Sequence, residues 1–175
     1  MMENSPAPAL ILETSRLELA TWGPEGASEL VELHSNEEVF RYLNASGSIC
    51  NLNTARDRIE KWKTEFDLYR LGKHRLTRKS DGVFIGRAGF SLFENEVPEL
   101  GYILHPAYWG NGYATEIAEG LRNWIKCQGT WDRFVAFAHP ENLASIRVLE
   151  KIGMTAAERK SVNGMQAQFF EMSLR

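Results

Sequence analysis

Between Glu99 and Ile125 the chain reads "ELGYILHPAYWGNGYATEIAEGLRNWI": a strand, a turn holding two glycines two residues apart, and a helix. The apolar run "RFVAFAH" that follows gives this strand-loop-helix unit a second strand, and the crossover permits a parallel pair. Elsewhere the strand signals come as hairpins. "HRLTRK" and "VFIGRAGFSLF" flank Asp81-Gly82, and "MTAAERKSV" and "QAQFFEMSL" flank Asn163-Gly164, the residues that tight antiparallel turns favour. One permitted parallel step among antiparallel hairpins predicts a mixed sheet flanked by helices.

Gly110 and Gly112 stand where the helix should begin, although glycine costs a helix up to about 1 kcal/mol. Glycine is used where the backbone itself must come close to something. The first-turn amides have no partner inside the helix and sit at the positive end of its dipole, so that something is most simply an anion, with phosphate the leading candidate. "GNG" is too short for the dinucleotide fingerprint and lacks the lysine and hydroxyl residue of a P-loop. An ordinary loop with two turn glycines remains the alternative.

Upstream, "RLELATW" alternates as a half-buried strand, and "PEGASELVELHS" opens a helix on proline with Leu30, Val31 and Leu33 on one face. "EEVFRYL" is a short helical piece, and "NTARDRIEKWKTEFDLYRLG" a longer helix closed by Gly72. The helix after the glycines is expected over residues 115–126, and "ENLASIRVLEKIG" is a helix capped by Gly153. The fold class is α+β (mixed α/β), a mostly antiparallel sheet of six to seven strands with helices on both faces. No repeat or linker divides the chain, so residues 10–175 form one domain and residues 1–9, rich in proline and alanine, form a disordered lead-in.

A chain of 175 residues can bury a full core without disulfide or metal. Its net charge of -3 argues against a general nucleic-acid binder. Cys50 and Cys127 lie far apart without metal-ligand spacing and read as reduced thiols, so no metal is expected. No run approaches the roughly 18 apolar residues of a membrane span. "SPAPALIL" has no basic flank and too short an apolar run for a signal peptide. A soluble, cytoplasmic protein with no nucleic-acid or membrane partner is expected.

The second constellation is "HPENLASIRVLEKIGM". Asn142, Ser145 and Leu149 fall at i, i+3 and i+7 and share one helical face, with Asn142 placed as an N-cap. Serine one turn into a helix is a mediocre helix former. A bond to its own backbone carbonyl one turn back is the structural account of Ser145, and a chemical role is the alternative.

The succession "ELGYILHPAYWGNGYATE", "AFAHPENLASIRVLEKIGM" and a terminal hairpin resembles the GNAT superfamily of acetyl-CoA-dependent N-acetyltransferases, more narrowly the branch with the Rim-type ribosomal-protein alanine N-acetyltransferases. The likeness covers residues 10–174. It implies the GNAT fold, with a V-shaped splay between two central strands, acetyl-CoA as cosubstrate, and a pyrophosphate held at the glycine loop.

The superfamily loop shows Gln or Arg, two variable residues, Gly, one variable residue, then Gly or Ala. Here Trp109-Gly110-Asn111-Gly112-Tyr113-Ala114 lacks the cation, which moves the burden onto Gly110 and the amides of Asn111, Gly112, Ala114 and Thr115. By the same resemblance Ile103 and Leu104 lie along pantetheine, with a strand amide holding the thioester oxygen as it becomes negative. Asn142 flanks the pantetheine arm. Many relatives place a tyrosine, the acid for the departing thiolate, seven residues after this asparagine. Here that position is Leu149, and Ser145 takes the role in the Rim-like branch.

The acceptor amine must shed a proton: a lysine amine, near 10.4, is almost wholly protonated at neutral pH, whereas an α-amino group, near 7.7 to 8.0, needs far less help. Glu99, opening its strand, is the first choice of base, because the family often draws an acid from there. His139 titrates in a useful range and is the second. His105 reads as structural. The expected reaction is direct attack of a primary amine, from a protein or peptide N-terminus or a small molecule, in a ternary complex. The family's frequent dimers make a homodimer an expectation. A CoA-binding protein without catalysis and an antibiotic-modifying acetyltransferase remain as rivals.

Overall fold

Fourteen glycines and six prolines punctuate this chain, and between them the strand patterns assemble into one sheet. The computed structural model describes residues 7–43 and 50–175, so the expectation for residues 1–6 of the lead-in lies outside the described residues. The strands are β1 (Leu10–Glu13), β2 (Leu17–Ala20), β3 (Gly72–Arg78), β4 (Phe84–Phe93), β5 (Val97–Leu104), β6 (Arg133–Ala138), β7 (Thr155–Val162) and β8 (Met165–Ser173). The helices are α1 (Gly26–Ser35), α2 (Glu37–Phe40), α3 (Leu52–Tyr69), α4 (Tyr113–Gln128) and α5 (Leu143–Lys151).

Spatial order in the sheet is β1-β2-β3-β4-β5-β6-β8-β7. β5 and β6, joined through α4, are the one parallel pair among the described strands. The eight strands exceed the expected six or seven because "LILE", four residues with little alternation, pairs with β2 across a bulge.

Two of the helix boundaries that differ from expectation involve glycines. α3 closes at Arg70, not Gly72: Arg70 itself adopts the left-handed conformation (φ 56°) and its N–H reaches the carbonyls of Glu65 and Phe66. Gly72 instead begins β3, where a Cβ would stand 2.7 Å from the Trp62 carbonyl oxygen. α4 starts two residues early, since Gly112 (φ 78°) makes the turn as its N-cap.

Alternation along the central strands divides the interior in two. Ala88, Phe90, Leu100 and Phe134 join Ile117, Leu121 and Ile125 of α4 in the main core. There the Phe90 ring meets Phe134 edge-on at 5.4 Å and stacks on Trp124 at 6.4 Å. Each fully buried Phe, Leu or Ile of this core contributes about 1.5–3 kcal/mol. On the other side α1 and α3 close a smaller cluster of Leu30, Cys50, Ala55 and Trp62, with Trp22 stacked on Trp62 at 6.2 Å. Between this cluster and the sheet lie the charged side chains described below. Both cysteines are free thiols.

The feature that makes a site is a failure of pairing. β5 and β6 are in register only at Glu99 with Val135 and Leu100 with Ala136. Beyond Leu100 the strands part, while β5 stays paired to β4 through Leu104. The expected splay is therefore present, and a cleft opens through it.

Candidate active site

At one end of the cleft stands the N-terminus of α4. Gly112 offers no capping side chain, and the first amide with an intrahelical partner is that of Glu116, which donates to the Gly112 carbonyl at 3.0 Å. The amides of Tyr113, Ala114 and Thr115 are thus bare donors at the positive end of a 16-residue helix. Gly110 (φ 76°) leaves its surroundings open, since a Cβ there would meet nothing within 4 Å.

The loop is held from both sides. Trp109, at the position where the resemblance leads one to expect a cation, donates its indole N–H to the Leu104 carbonyl at 2.8 Å and ties the loop to the end of β5. Asn111 Nδ2 donates to the carbonyls of Tyr108 and Trp109, both at 3.1 Å. A cation does reach the loop, but from the β1–β2 turn. Arg16 donates from Nη1 to the Asn111 carbonyl at 3.0 Å, pairs with Glu116 at 2.7 Å, and lies 4.5 Å above the Tyr113 ring.

A continuous cleft of about 750 Å³ runs from this loop through the splay. Gly110, Gly112, Ala114 and Thr115 line one end; Ile103, Leu104, Asn142 and Ser145 line the middle; Glu99 and His139 lie further along. Of the candidate catalytic and cofactor-binding residues read from the sequence, Asn111 alone is not in the cleft wall, because its side chain and carbonyl are spent on folding the loop. A smaller hollow of about 370 Å³, bordered by Leu10, Phe66 and Trp124, contains none of them.

Asn142 is the N-cap of α5 and accepts from the Ser145 amide at 3.2 Å. Leu149, 1% exposed, belongs to the core. Ser145 Oγ meets the hydroxyl of Tyr102, from β5, at 3.1 Å, and that phenol also donates to the Ser145 carbonyl at 3.2 Å. Either hydroxyl can donate in this pair, and a phenol proton shared between the Ser145 carbonyl and Oγ leaves the serine proton free for the cleft. Burial pushes the Tyr102 hydroxyl above its usual range, so it stays protonated. Tyr102 was not found in the sequence, since nothing local links it to a serine 43 positions away.

Glu99 is 7% exposed and receives the Lys73 ammonium of β3 at 2.6 Å. Burial lowers the Lys73 pKa, against the raising effect of Glu99. His139 Nδ1 accepts the Glu141 amide at 3.1 Å, and its ring lies 5.6 Å from that of Tyr42. With that lone pair engaged, neutral His139 carries its proton on Nε2. His105 Nδ1 accepts the Ala107 amide at 3.2 Å and caps the short 3₁₀ turn of Pro106–Tyr108, a structural role. Among the described residues no group of three or more His, Cys, Asp or Glu is arranged to hold a metal ion. No helix of the described residues is long and apolar enough to cross a membrane.

The bare α4 terminus, the unpaired strand edges and the long cleft between them fit a phosphate-bearing thioester with an extended arm. Comparisons with known proteins agree. Residues 16–155 match the acetyltransferase (GNAT) domain. The uncharacterized N-acetyltransferase p20 of Bacillus licheniformis is 29% identical over 143 residues, 81% of this chain and 80% of that protein. The uncharacterized protein YkkB of Bacillus subtilis is 40% identical over 79 residues, 43% of this chain and 46% of that protein. The fold is shared with RimL, a ribosomal L7/L12 alpha-N-protein acetyltransferase solved with coenzyme A, at TM-score 0.79 and 16% identity, covering 94% of this chain and 97% of that one. This chain belongs to the acetyltransferase (GNAT) family, a family of acyltransferases.

Proposed function

We propose that this protein transfers the acetyl group of acetyl-CoA to a primary amine, on a protein or peptide N-terminus or a small molecule, by direct attack in a ternary complex. The observation that carries the reading is the single cleft joining the bare α4 terminus to Glu99 through the gap between β5 and β6. Acetyl-CoA, when bound, supplies an activated acetyl group; the chain supplies position, charge and proton transfer.

The amides of Gly112, Ala114 and Thr115 hold the diphosphate, and Arg16 fixes the loop that presents them, through the Asn111 carbonyl. The edge of β5 left unpaired by β6 aligns the arm along Ile103 and Leu104, although Trp109 already holds the Leu104 carbonyl, and a strand amide there faces developing oxyanion charge. Ser145 Oγ protonates the departing thiolate, and Tyr102 is the positioning residue that aims it. Glu99, directly or through a water, takes the proton from the amine. It is favoured over His139, whose Nδ1 lone pair is already committed to the Glu141 amide.

The test is acetyl transfer from acetyl-CoA to a panel of α-amino peptides and small amines, with Glu99→Gln run alongside. Turnover on at least one amine is expected, with Glu99→Gln about 100-fold slower and lacking the acidic limb of the pH profile. An unchanged profile removes Glu99 as the base. Tight CoA binding without turnover on any amine replaces the transferase reading with a CoA-binding one.

A further inference from the structure

Past Glu99 the cleft reaches Arg87 of β4, and here the charges do not balance. Arg87 is 8% exposed. Its Nε donates to His34 Nε2 at 3.1 Å, its guanidinium lies 5.2 Å over the Trp62 ring, and its buried Nη1 has no hydrogen-bond partner among the described residues. His34 cannot neutralise it. Burial, reinforced by Arg87 and Arg58, pushes that imidazole down to about 2, so it is neutral at ordinary pH. Arg58 Nη1 meets its other nitrogen at 2.8 Å. A neutral imidazole offers one lone pair, so two guanidinium groups converge on a single acceptor.

The nearby carboxylates are engaged elsewhere. Glu99 holds Lys73 at 2.6 Å, and Gly101 makes room for that ammonium, since a Cβ there would fall 2.6 Å from Nζ. Glu65 of α3 turns to Ser91 Oγ at 2.7 Å and the Leu92 amide at 3.2 Å. Neither Arg87 nor Arg58 has a carboxylate partner among the described residues. A buried cation that feels Glu99 only through space, with no carboxylate bound to it, is unfavourable for folding alone. Its position in the cleft wall gives the charge a use when the cleft is filled.

We propose that Arg87 is an acceptor subsite for a carboxylate: the amine acetylated by this protein carries an acid group, which the guanidinium binds from the cleft side while the amine lies toward Glu99. The proposal rests on the transferase reading above. It narrows the acceptor to amino-carboxylates, either free amino acids or peptides with an acidic first residue.

The experiment compares each carboxylate with its carboxamide. β-Alanine and β-alaninamide probe the small-molecule source; aspartyl- and asparaginyl-initiated tripeptide amides probe the peptide source. Affinity for the CoA-saturated protein is read by calorimetry, and kcat/KM with acetyl-CoA by thiol release. At least one carboxylate should bind and react tenfold or more better than its amide, the scale of a hydrogen bond to a charged group. The ratio should collapse to about one in Arg87→Met and Arg87→Gln and recover in part in Arg87→Lys. Circular dichroism and CoA affinity report whether these variants fold. Without any substitution, a crystal of the wild-type protein grown with CoA and the preferred carboxylate should place that group within hydrogen-bond distance of Arg87.

A ratio near one for both pairs in the wild type, a preference that survives in folded Arg87 variants, or a carboxylate bound elsewhere overturns the subsite. A stronger preference for aminoethylphosphonate than for β-alanine overturns its assignment to carboxylate. Amine transfer with no carboxylate preference overturns the subsite and leaves the transferase. Arg87-dependent carboxylate binding with no transfer to any acceptor overturns the transferase and leaves the subsite.

Discussion

The two ends of the cleft recognise charge by different means. At the α4 end the donors are backbone amides, set by Gly112 and a loop whose hydrogen bonds, except that from Arg16, run between residues a few positions apart. At the Glu99 end the charges are side chains from α1, α3, β3, β4 and β5, brought together only by the sheet and the helices laid across it. A backbone site needs little but a turn and a helix start. A side-chain site needs the whole fold, and it carries the cost of burying charge.

Four predictions break or sharpen this contrast. The largest effect is expected at Gly112, whose left-handed φ of 78° strains any side chain. Gly112→Leu should abolish measurable CoA binding by calorimetry, and an undiminished affinity would remove the α4 end from cofactor recognition. Next, Ser145→Ala should lower kcat about 100-fold with little change in KM for acetyl-CoA, as loss of a proton donor does. Tyr102→Phe, which removes only the partner of that hydroxyl, should cost less, about tenfold, and equal losses would break the division of roles.

The third prediction concerns pH. Burial holds His34 at about 2 and His74 at about 4, against 6.5 for an unperturbed imidazole. Below pH 6.5 the unfolded chain takes up protons that the folded chain refuses. Stability fully present above pH 6.5 is therefore lost as pH falls, by about 1.4 kcal/mol per pH unit for each histidine until its folded value is reached. Denaturant midpoints between pH 7 and pH 5 measure this, and His34→Gln should remove one proton from the slope. A slope that His34→Gln leaves unchanged would contradict the neutral, buried His34 of the acceptor end. The smallest effect is Arg16→Gln: with 48% of its side chain exposed, Arg16 should weaken CoA binding only a few-fold, by loosening the loop.

Legibility followed the same division. "WGNGYATE" announced a bare helix start, because the glycines and the following helix pattern are adjacent in the chain. "ENLASIRVLEKIG" likewise placed Asn142 at a cap and Ser145 beside it. Glu99 and His139 were singled out as strand-end residues, but β5 begins at Val97, which makes Glu99 a buried residue within the strand, and their partners were not seen: Lys73 is 26 positions from Glu99, and no period or motif links them. Arg16, offered in the sequence only as the start of a strand, is 95 positions from the carbonyl it holds. Tyr102 lay in a segment assigned to core and strand, and its hydroxyl gave no sign of facing a serine.

What the sequence determined by itself was local: element types, hairpins, the permitted parallel step, and the backbone donors of the glycine loop. These follow from φ/ψ preference and side-chain period, which act over a few residues. The tertiary structure alone decided that β1 joins the sheet, that Trp109 and Arg16 brace the loop, and that Ser145 is met by Tyr102. It also decided that Lys73, Glu99, Arg87 and His34 share one buried charge cluster. Those contacts depend on which strand faces come together once the sheet is assembled. Their electrostatic weight depends on burial, which no stretch of chain possesses before folding.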